Sequence, residues 1–357
     1  MELLDLPTIP PRKPETHKGD CGRVLIIAGS ETMIGAPAIV ALAALRTGAG
    51  LVRIAAPKDL IPPIIKLCPL ATGFAWTATR IKDLLAFADE HDALAVGPGL
   101  GTSPGVKRLV LELLERHPGP MVFDADALNT LATLDASEWP KRRDWSNVVL
   151  TPHMGEFMRL MGAVMKRGGT VATPPNENLE EDTPVAPVRK ARSLADDDDA
   201  PSTADGVVLD IAPEAPAEKA ASTEESAAPA PKPADSPDRT PLAELLARGT
   251  GCVVVLKGHG TIVTDGVRVT TNTTGNPAMA TAGSGDALTG VIAALLGGAG
   301  GGGKLRALEA AALGVHVHGL AGDLARDAII GAGTQCGGLI ATDIIQYLPK
   351  AIATRVA

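Results

Sequence analysis

Val24-Leu25-Ile26-Ile27-Ala28, then a helical stretch over residues 36–47 (APAIVALAALRT), then Leu51-Val52-Arg53-Ile54-Ala55: these three pieces decide the fold. Short β-branched runs on either side of an Ala- and Leu-rich helical segment read as one βαβ unit, and such units build a parallel sheet with right-handed crossovers. The alternation continues along the chain. Further strand-like runs stand at residues 93–96, 121–123, 148–150 and 253–256, with helical segments between them. The expected architecture is α/β, a mostly parallel sheet with helices on both faces.

Composition points the same way. Hydrophobic residues make up 45% of the 357, yet only 3 Trp, 1 Tyr and 4 Phe are present. Burial must come from Ala, Val, Leu and Ile, as in a sheet covered on both sides, and base stacking on an aromatic platform is disfavoured. The formal charge of −8 is local: residues 163–240 hold 16 acidic against 8 basic side chains, and the remainder balances at 25 against 25. Neither nucleic acid nor an anionic membrane is therefore an expected partner of the ordered part, so a phosphate-bearing ligand must be held by local devices. Cys21, Cys68, Cys252 and Cys336 lack the paired spacings of a zinc or redox site and read as reduced, mostly buried thiols. Residues 1–18 carry acids and prolines without the apolar stretch of a signal peptide, and no apolar run is long enough to span a membrane. The expected compartment is the cytoplasm.

Between about residues 165 and 240 the strand-helix pattern disappears. This segment holds 11 of the 29 prolines, no aromatic residue and the acidic run Asp196-Asp197-Asp198-Asp199, a composition that cannot bury enough surface to offset its ordering entropy. It reads as a disordered insertion within a single domain spanning 1–357, with a short helix over residues 188–195. The glycine-rich run at 297–303 lies between two helical patterns and reads as a flexible connector, without chemistry.

The strongest local signal is Asn272-Thr273-Thr274-Gly275-Asn276-Pro277, followed by Ala282-Gly283-Ser284-Gly285-Asp286 and a helical run over 287–296. Small residues before a helix leave backbone N–H groups free, and the helix dipole adds partial positive charge, which makes an anion hole. Asp286 would stand at the first turn, where the dipole favours its ionised, proton-accepting form. Ser and Asp are equally ordinary helix caps, and from these four residues the two readings are even.

Val253-Val254-Val255-Leu256-Lys257-Gly258-His259-Gly260-Thr261 ends a buried-strand run in a lysine and glycines, which can meet a phosphate with an ammonium and close amides; a tight turn before the hairpin at 264–267 explains it as well. Gly97-Pro98-Gly99-Leu100-Gly101 and Thr151-Pro152-His153-Met154-Gly155-Glu156 also follow strands, at the carboxyl edge where open α/β sheets bind ligands. Taken singly, His153 or Glu156 reads as a cap or a solvated side chain. Asp124 and Asp126 could hold a magnesium ion beside phosphates; Asp126 could as well cap the next helix.

Together these motifs resemble the ADP-dependent NAD(P)H-hydrate dehydratases of the ribokinase-like superfamily. The resemblance runs in order through His17-Lys18-Gly19-Asp20, Gly35-Ala36-Pro37, Gly97 to Gly101, Asp124 to Asn129, Thr151 to Phe157, Lys257 to Thr261 and Gly275 to Asp286. It implies a ribokinase-like three-layer sandwich and a reaction that uses ADP to dehydrate hydrated NADH and NADPH, releasing AMP and phosphate, with Mg2+ assisting. It implies Asp286 as the catalytic residue and Lys257, Gly258, His259, Gly260, Thr261, Gly283, Ser284 and Gly285 as nucleotide contacts. Ala36, Gly97, Gly99, His153 and Asp286 would face the hydrated substrate; no metal ligand is assigned. A homo-oligomer, by resemblance a homotetramer, and a separate epimerase acting on the same substrate are implied partners, since too little chain precedes His17 for the epimerase domain frequent in the family.

Three departures stand out: the acidic insertion, Cys21 where an aromatic is frequent, and Met154 in place of a common proline. None touches Asp286 or Lys257. The main rival is a kinase of the same superfamily acting on a vitamin-precursor alcohol, which the histidine of Thr-Pro-His-x-Gly-Glu and the Asn-x-Thr-Gly-Asn-Pro run disfavour. A non-catalytic nucleotide-binding module is the second rival, and an intact Asp286 speaks against it.

Overall fold

A computed structural model of the chain describes residues 2–3, 5–134, 144–166, 238–299 and 304–357. In chain order its elements are β1 (Glu2–Leu3), β2 (Arg23–Ile27), α1 (Gly35–Thr47), β3 (Leu51–Ala56), α2 (Ile61–Leu67), β4 (Thr72–Ala75), α3 (Ile81–Ala88), β5 (Ala93–Val96), α4 (Pro104–Arg116), β6 (Met121–Phe123) and α5 (Asp126–Ala132). They continue with β7 (Val148–Leu150), α6 (Met154–Lys166), α7 (Thr240–Thr250), β8 (Val253–Leu256), β9 (Ile262–Thr264), β10 (Arg268–Thr271), α8 (Ser284–Gly297), α9 (Ala307–Ile329) and α10 (Ala341–Ala353). The strands form one sheet in the order β1-β10-β9-β8-β7-β6-β5-β2-β3-β4. Every pairing is parallel except the two made by β9.

Strand alternation sorts the core into two layers. Val24 and Ile26 of β2 pack with Val40, Ile292, Leu313 and Ile344, from α1, α8, α9 and α10, on one face. Their neighbours Leu25 and Ile27 pack with Leu84, Leu109, Leu131, Phe157 and Leu246, from α3 to α7, on the other. Slipping β2 by one residue would exchange the two sets. The result is the three-layer sandwich expected, and its apolar filling is almost wholly aliphatic: Phe123 and Phe157 are the largest fully buried side chains.

From β2 the chain moves outward through β3 to β4, then returns to β5 on the opposite side of β2 and proceeds through β6, β7 and β8. The direction of winding reverses between β2 and β5, and at such a switch point a crevice opens beyond the carboxyl ends of the strands. The loops after β5, β6, β7 and β8 all lead there.

The hairpin at 264–267 joins β9 to β10, its turn closed by the Arg268 amide donating to Asp265 Oδ1 at 2.7 Å. Cys21, Cys68 and Cys252 are buried and Cys336 is exposed. The expected insertion is bounded by α6, ending at Lys166, and α7, beginning at Thr240; residues 167–237, with the helix expected at 188–195, lie outside the described residues, as do 300–303 of the glycine run. No helix among the described residues is long and apolar enough to cross a membrane.

Candidate active site

The loop after β5 is stitched to β2: the Gly97 amide donates to Ile27 O and the Gly29 amide to Pro98 O, both at 3.0 Å. Gly97, at φ +124°, has no alternative residue, since a Cβ built there would lie 1.9 Å from Asp124 O. Gly99 rests on α1, where a Cβ would come within 3.2 Å of Ala36 Cβ. The structure thus brings Ala36, Gly97 and Gly99 together beside Asp124.

Beyond β6 the backbone turns through Ala125, the one non-glycine residue with positive φ (49°) among the described residues. A strained residue of this kind persists only where its surroundings impose it. Here it separates two carboxylates with different partners. Asp126 accepts the Gly101 amide at 2.8 Å and the Asn129 side-chain amide at 3.3 Å, at the start of α5. Asp124, 1% exposed, accepts the Lys257 ammonium on Oδ1 at 2.6 Å and the Thr289 hydroxyl on Oδ2 at 2.7 Å.

Lys257, at the end of β8, donates its amide to Pro152 O at 2.9 Å, which ties the fourth loop to the third. There His153 and Glu156 cap α6 reciprocally: the Gly155 amide donates to His153 Nδ1 at 3.0 Å, and the His153 amide donates to Glu156 Oε2 at 2.9 Å. Glu156 Oε2 also stands 4.0 Å from Lys257 Nζ. The capping role that the sequence left open is thus filled by both side chains. Burial works against the Lys257 charge, but Asp124, Glu156 and Asp286 outweigh it and hold its pKa above the ordinary lysine value.

At the start of α8 the cap residue is Gly283, and no side chain accepts the first-turn amides. The Ser284 amide donates to Thr281 O at 3.4 Å, which leaves the amides that follow it to meet an anion. Gly285 lies over the Lys257–Asp124 pair, since a Cβ on it would be 3.3 Å from Lys257 Nζ and 3.9 Å from Asp124 Oδ2. One residue further along stands Asp286. The helix dipole alone would favour its ionised form; the structure reverses that expectation. Burial, then the Asp124 charge, raise its pKa to about 6 against the pull of Lys257.

A cavity of about 700 Å³ opens on one flank of this cluster. Lys257, Gly258, His259, Gly260 and Thr261 line one wall and the run from Asn272 to Ala280 lines another, with Ser284, Gly285 and His318 beneath. His153 also reaches it, whereas Ala36, Gly97, Gly99, Gly283 and Asp286 stand outside its lining. The expected site residues therefore divide in two, a cavity and a charged flank, and meet at Lys257 and Gly285.

Three residues that sequence reasoning did not single out shape the cavity. Asp323 of α9 accepts the Gly275 amide at 2.8 Å and the Asn276 side chain at 2.9 Å, fixing the wall opposite Lys257. Arg239, preceding α7, donates to Lys257 O at 3.3 Å, Gly260 O at 3.2 Å and His259 O. His318 is buried and neutral, burial pushing its pKa down to about 4. An acid within the run of small and apolar residues from Gly319 to Ala325 was the available signal for Asp323; Arg239 stands at the end of the segment read as an insertion and gives none.

A family model described as NAD(P)H-hydrate dehydratase matches residues 24–193 and 228–349 of this chain. The bifunctional NAD(P)H-hydrate repair enzyme of Thermofilum pendens is 33% identical over 361 aligned positions, covering 99% of this chain and 54% of the relative. That of Escherichia coli is 31% identical over 349, covering 97% and 50%. The chain thus spans about half the length of the curated relatives it matches. Among solved structures, an ADP/ATP-dependent NAD(P)H-hydrate dehydratase from Bacillus subtilis, co-crystallised with ATP and Mg2+, superposes with a TM-score of 0.63 at 25% identity, covering 98% of this chain and 99% of that one. A ribokinase-like superfamily protein from Enterococcus faecalis gives 0.65 at 20% identity, over 98% and 93%.

Proposed function

The chain belongs to the NAD(P)H-hydrate dehydratase family, a lyase family of ribokinase-like fold, and we propose that it restores hydrated NADH and NADPH to NADH and NADPH at the expense of ADP. The observation that carries this reading is Asp286, raised to about 6 and set in the first turn of α8 beside Lys257. A base of that pKa is still mostly ionised at neutral pH and binds a proton more tightly than an ordinary aspartate.

In this reading ADP lies in the cavity, its phosphates against Lys257, Gly258, His259, Gly260, Thr261, Ser284 and Gly285, with the uncapped amides at Gly283 facing the transferring group. The hydrated ring occupies the flank near Ala36, Gly97, Gly99 and His153. Asp286 takes the proton of the ring hydroxyl as its oxygen attacks the β-phosphorus and the bond to AMP breaks. Amides fixed in advance stabilise charge on the phosphoryl group without reorganisation. Phosphate then leaves with the C–O bond, a proton is lost from the ring, and the double bond returns.

Magnesium suits these residues. Among the described residues no three His, Cys, Asp or Glu side chains group as metal ligands, and an ion held mainly by phosphate oxygens and water needs only one or two carboxylates from the protein. Glu156, 4.0 Å from the Lys257 ammonium, would be one such carboxylate. When bound, the ion would neutralise phosphate charge.

The reading extends to a single catalytic domain interrupted at about residues 165–240, acting in the cytoplasm as a homo-oligomer, a homotetramer on the family's pattern, with an epimerase as companion on the same substrate. Its test is recovery of the near-ultraviolet absorbance of the reduced nicotinamide when hydrated NADH is mixed with the protein, ADP and magnesium. No recovery with ADP or ATP would remove the assignment, and transfer from ATP to a vitamin-precursor alcohol would favour the kinase reading.

A further inference from the structure

The wall of the cavity formed by Lys257 to Thr261 is a loop whose carbonyls would, left alone, turn in any direction. They do not. Three of them, those of Lys257, His259 and Gly260, converge on the guanidinium of Arg239. Of the other two, Gly258 O accepts the Thr261 hydroxyl and Thr261 O accepts the Asn272 amide, both at 2.8 Å. In a trans peptide the N–H points opposite to the carbonyl of the same unit. Drawing the His259 and Gly260 carbonyls to one side therefore turns the Gly260 and Thr261 amides to the other, and both residues line the cavity.

The fit is close. Gly258, at φ +144°, passes so near that a Cβ on it would lie 2.6 Å from an Arg239 terminal nitrogen. Arg239 itself is not part of the cavity lining. Its planar fork of donors serves carbonyls spread from Lys257 to Gly260, which a single ammonium could not serve together.

Resting on the reading of this cavity as a nucleotide site, we propose that Arg239 is a positioning residue. It gathers the loop's carbonyls from behind and so presents the Gly260 and Thr261 amides, with the Lys257 ammonium, as a preformed cradle for the phosphates of a nucleoside diphosphate. Such concave sets of backbone amides bind anions, and here the concavity is imposed by one side chain.

The test is Arg239→Ala in the full chain, with ADP binding followed by calorimetry and steady-state kinetics in both substrates. Losing charge-assisted hydrogen bonds that order the loop should weaken ADP binding by roughly ten- to a hundred-fold. The KM for ADP should rise accordingly, while the KM for the hydrated dinucleotide does not follow. Arg239→Lys should recover part of the affinity, and free methylguanidinium should restore ADP binding to the alanine variant, a rescue that a merely misfolded protein would not show. A folded alanine variant that binds ADP as tightly as the parent overturns the inference; so does a loss that falls equally on both substrates and resists methylguanidinium. If the parent itself bound no ADP, the nucleotide reading would fall as well, which separates the two failures.

Discussion

Around the cavity, the proposed site would turn backbone amides to its ligand, in loops held from behind by Arg239 and Asp323. On the flank the groups are charge-bearing side chains that hold one another: Lys257 on Asp124 at 2.6 Å, Glu156 at 4.0 Å from the same ammonium, and Asp286 under the field of Asp124, Lys257 and Asp126. Amides keep their polarity at every pH and respond only when their holder is removed. The flank behaves differently, because changing any charge there alters the proton affinity of the others. Substitutions on the cavity side should thus act on affinity, and those on the flank on rate and its pH dependence.

The largest effect belongs to the flank. Asp286→Asn should lower turnover by about 10²- to 10⁴-fold, the usual loss on removing a positioned base, while ADP binding stays near that of the parent. The same variant should be more stable at neutral pH. The folded-state pKa of about 6 lies above the ordinary 3.8, so between those values the folded chain retains a proton that the unfolded chain releases. That stabilisation is complete below 3.8 and is lost as pH rises through about 6; the ionised carboxylate then costs about 3 kcal/mol at most. Melting curves should show Asp286→Asn above the parent at neutral pH and level with it in acid. Near-normal turnover would reduce Asp286 to a helix cap.

Lys257→Ala crosses the boundary between the two regions. A lost phosphate contact should cost ADP about 1.5–3 kcal/mol of binding, and Asp124, whose side chain is 2% exposed, should be left as a buried charge with only Thr289 and so lower the melting temperature. Adding Asp124→Asn should restore stability without restoring ADP affinity. If affinity returned as well, the lysine would serve the flank alone.

The difference between the regions also explains what could be read in the sequence. The parallel sheet was legible because each central strand is an uninterrupted apolar run between turn residues, as in residues 93–96 and 253–256. The cavity loops were legible because close approach to a phosphate demands glycine, and glycine is visible. The flank was not. Asp124 and Lys257 are 133 positions apart, and Asp124 and Thr289 165 apart; only the strand order places them together. Nothing in an alanine between two aspartates announces the positive φ of Ala125. The pKa of Asp286 was misread in direction because the dipole is a local property of the helix, whereas burial and Asp124 are contributed by the fold.

A smaller effect tests the coupling itself. Since the Asp124 charge helps to raise Asp286, Asp124→Asn should move the acid limb of the kcat profile to lower pH. The limb of the parent should fall near pH 6, where Asp286 takes up its proton. A limb that stays in place in the variant would mean that burial alone sets the pKa, and the flank would no longer count as a coupled cluster.

The smallest expected effect is that of deleting residues 168–237, which the comparison assigns to neither region. Val164, near the end of α6, packs at Gly249, near the end of α7, whereas the deleted stretch must reconnect to the start of α7 at Thr240. A linker must therefore climb about 14 Å, nine residues of helix at about 1.5 Å each. At about 3.3 Å per extended residue, six to eight flexible residues suffice, and loop length enters the closure entropy only logarithmically. The deletion keeps Arg239, and with it the grip on Lys257, His259 and Gly260. The shortened chain should melt cooperatively within a few degrees of the parent and keep its KM for ADP. Loss of cooperative melting would place the segment in the core, and a raised KM with an intact melt would show that Arg239 depends on the chain before it.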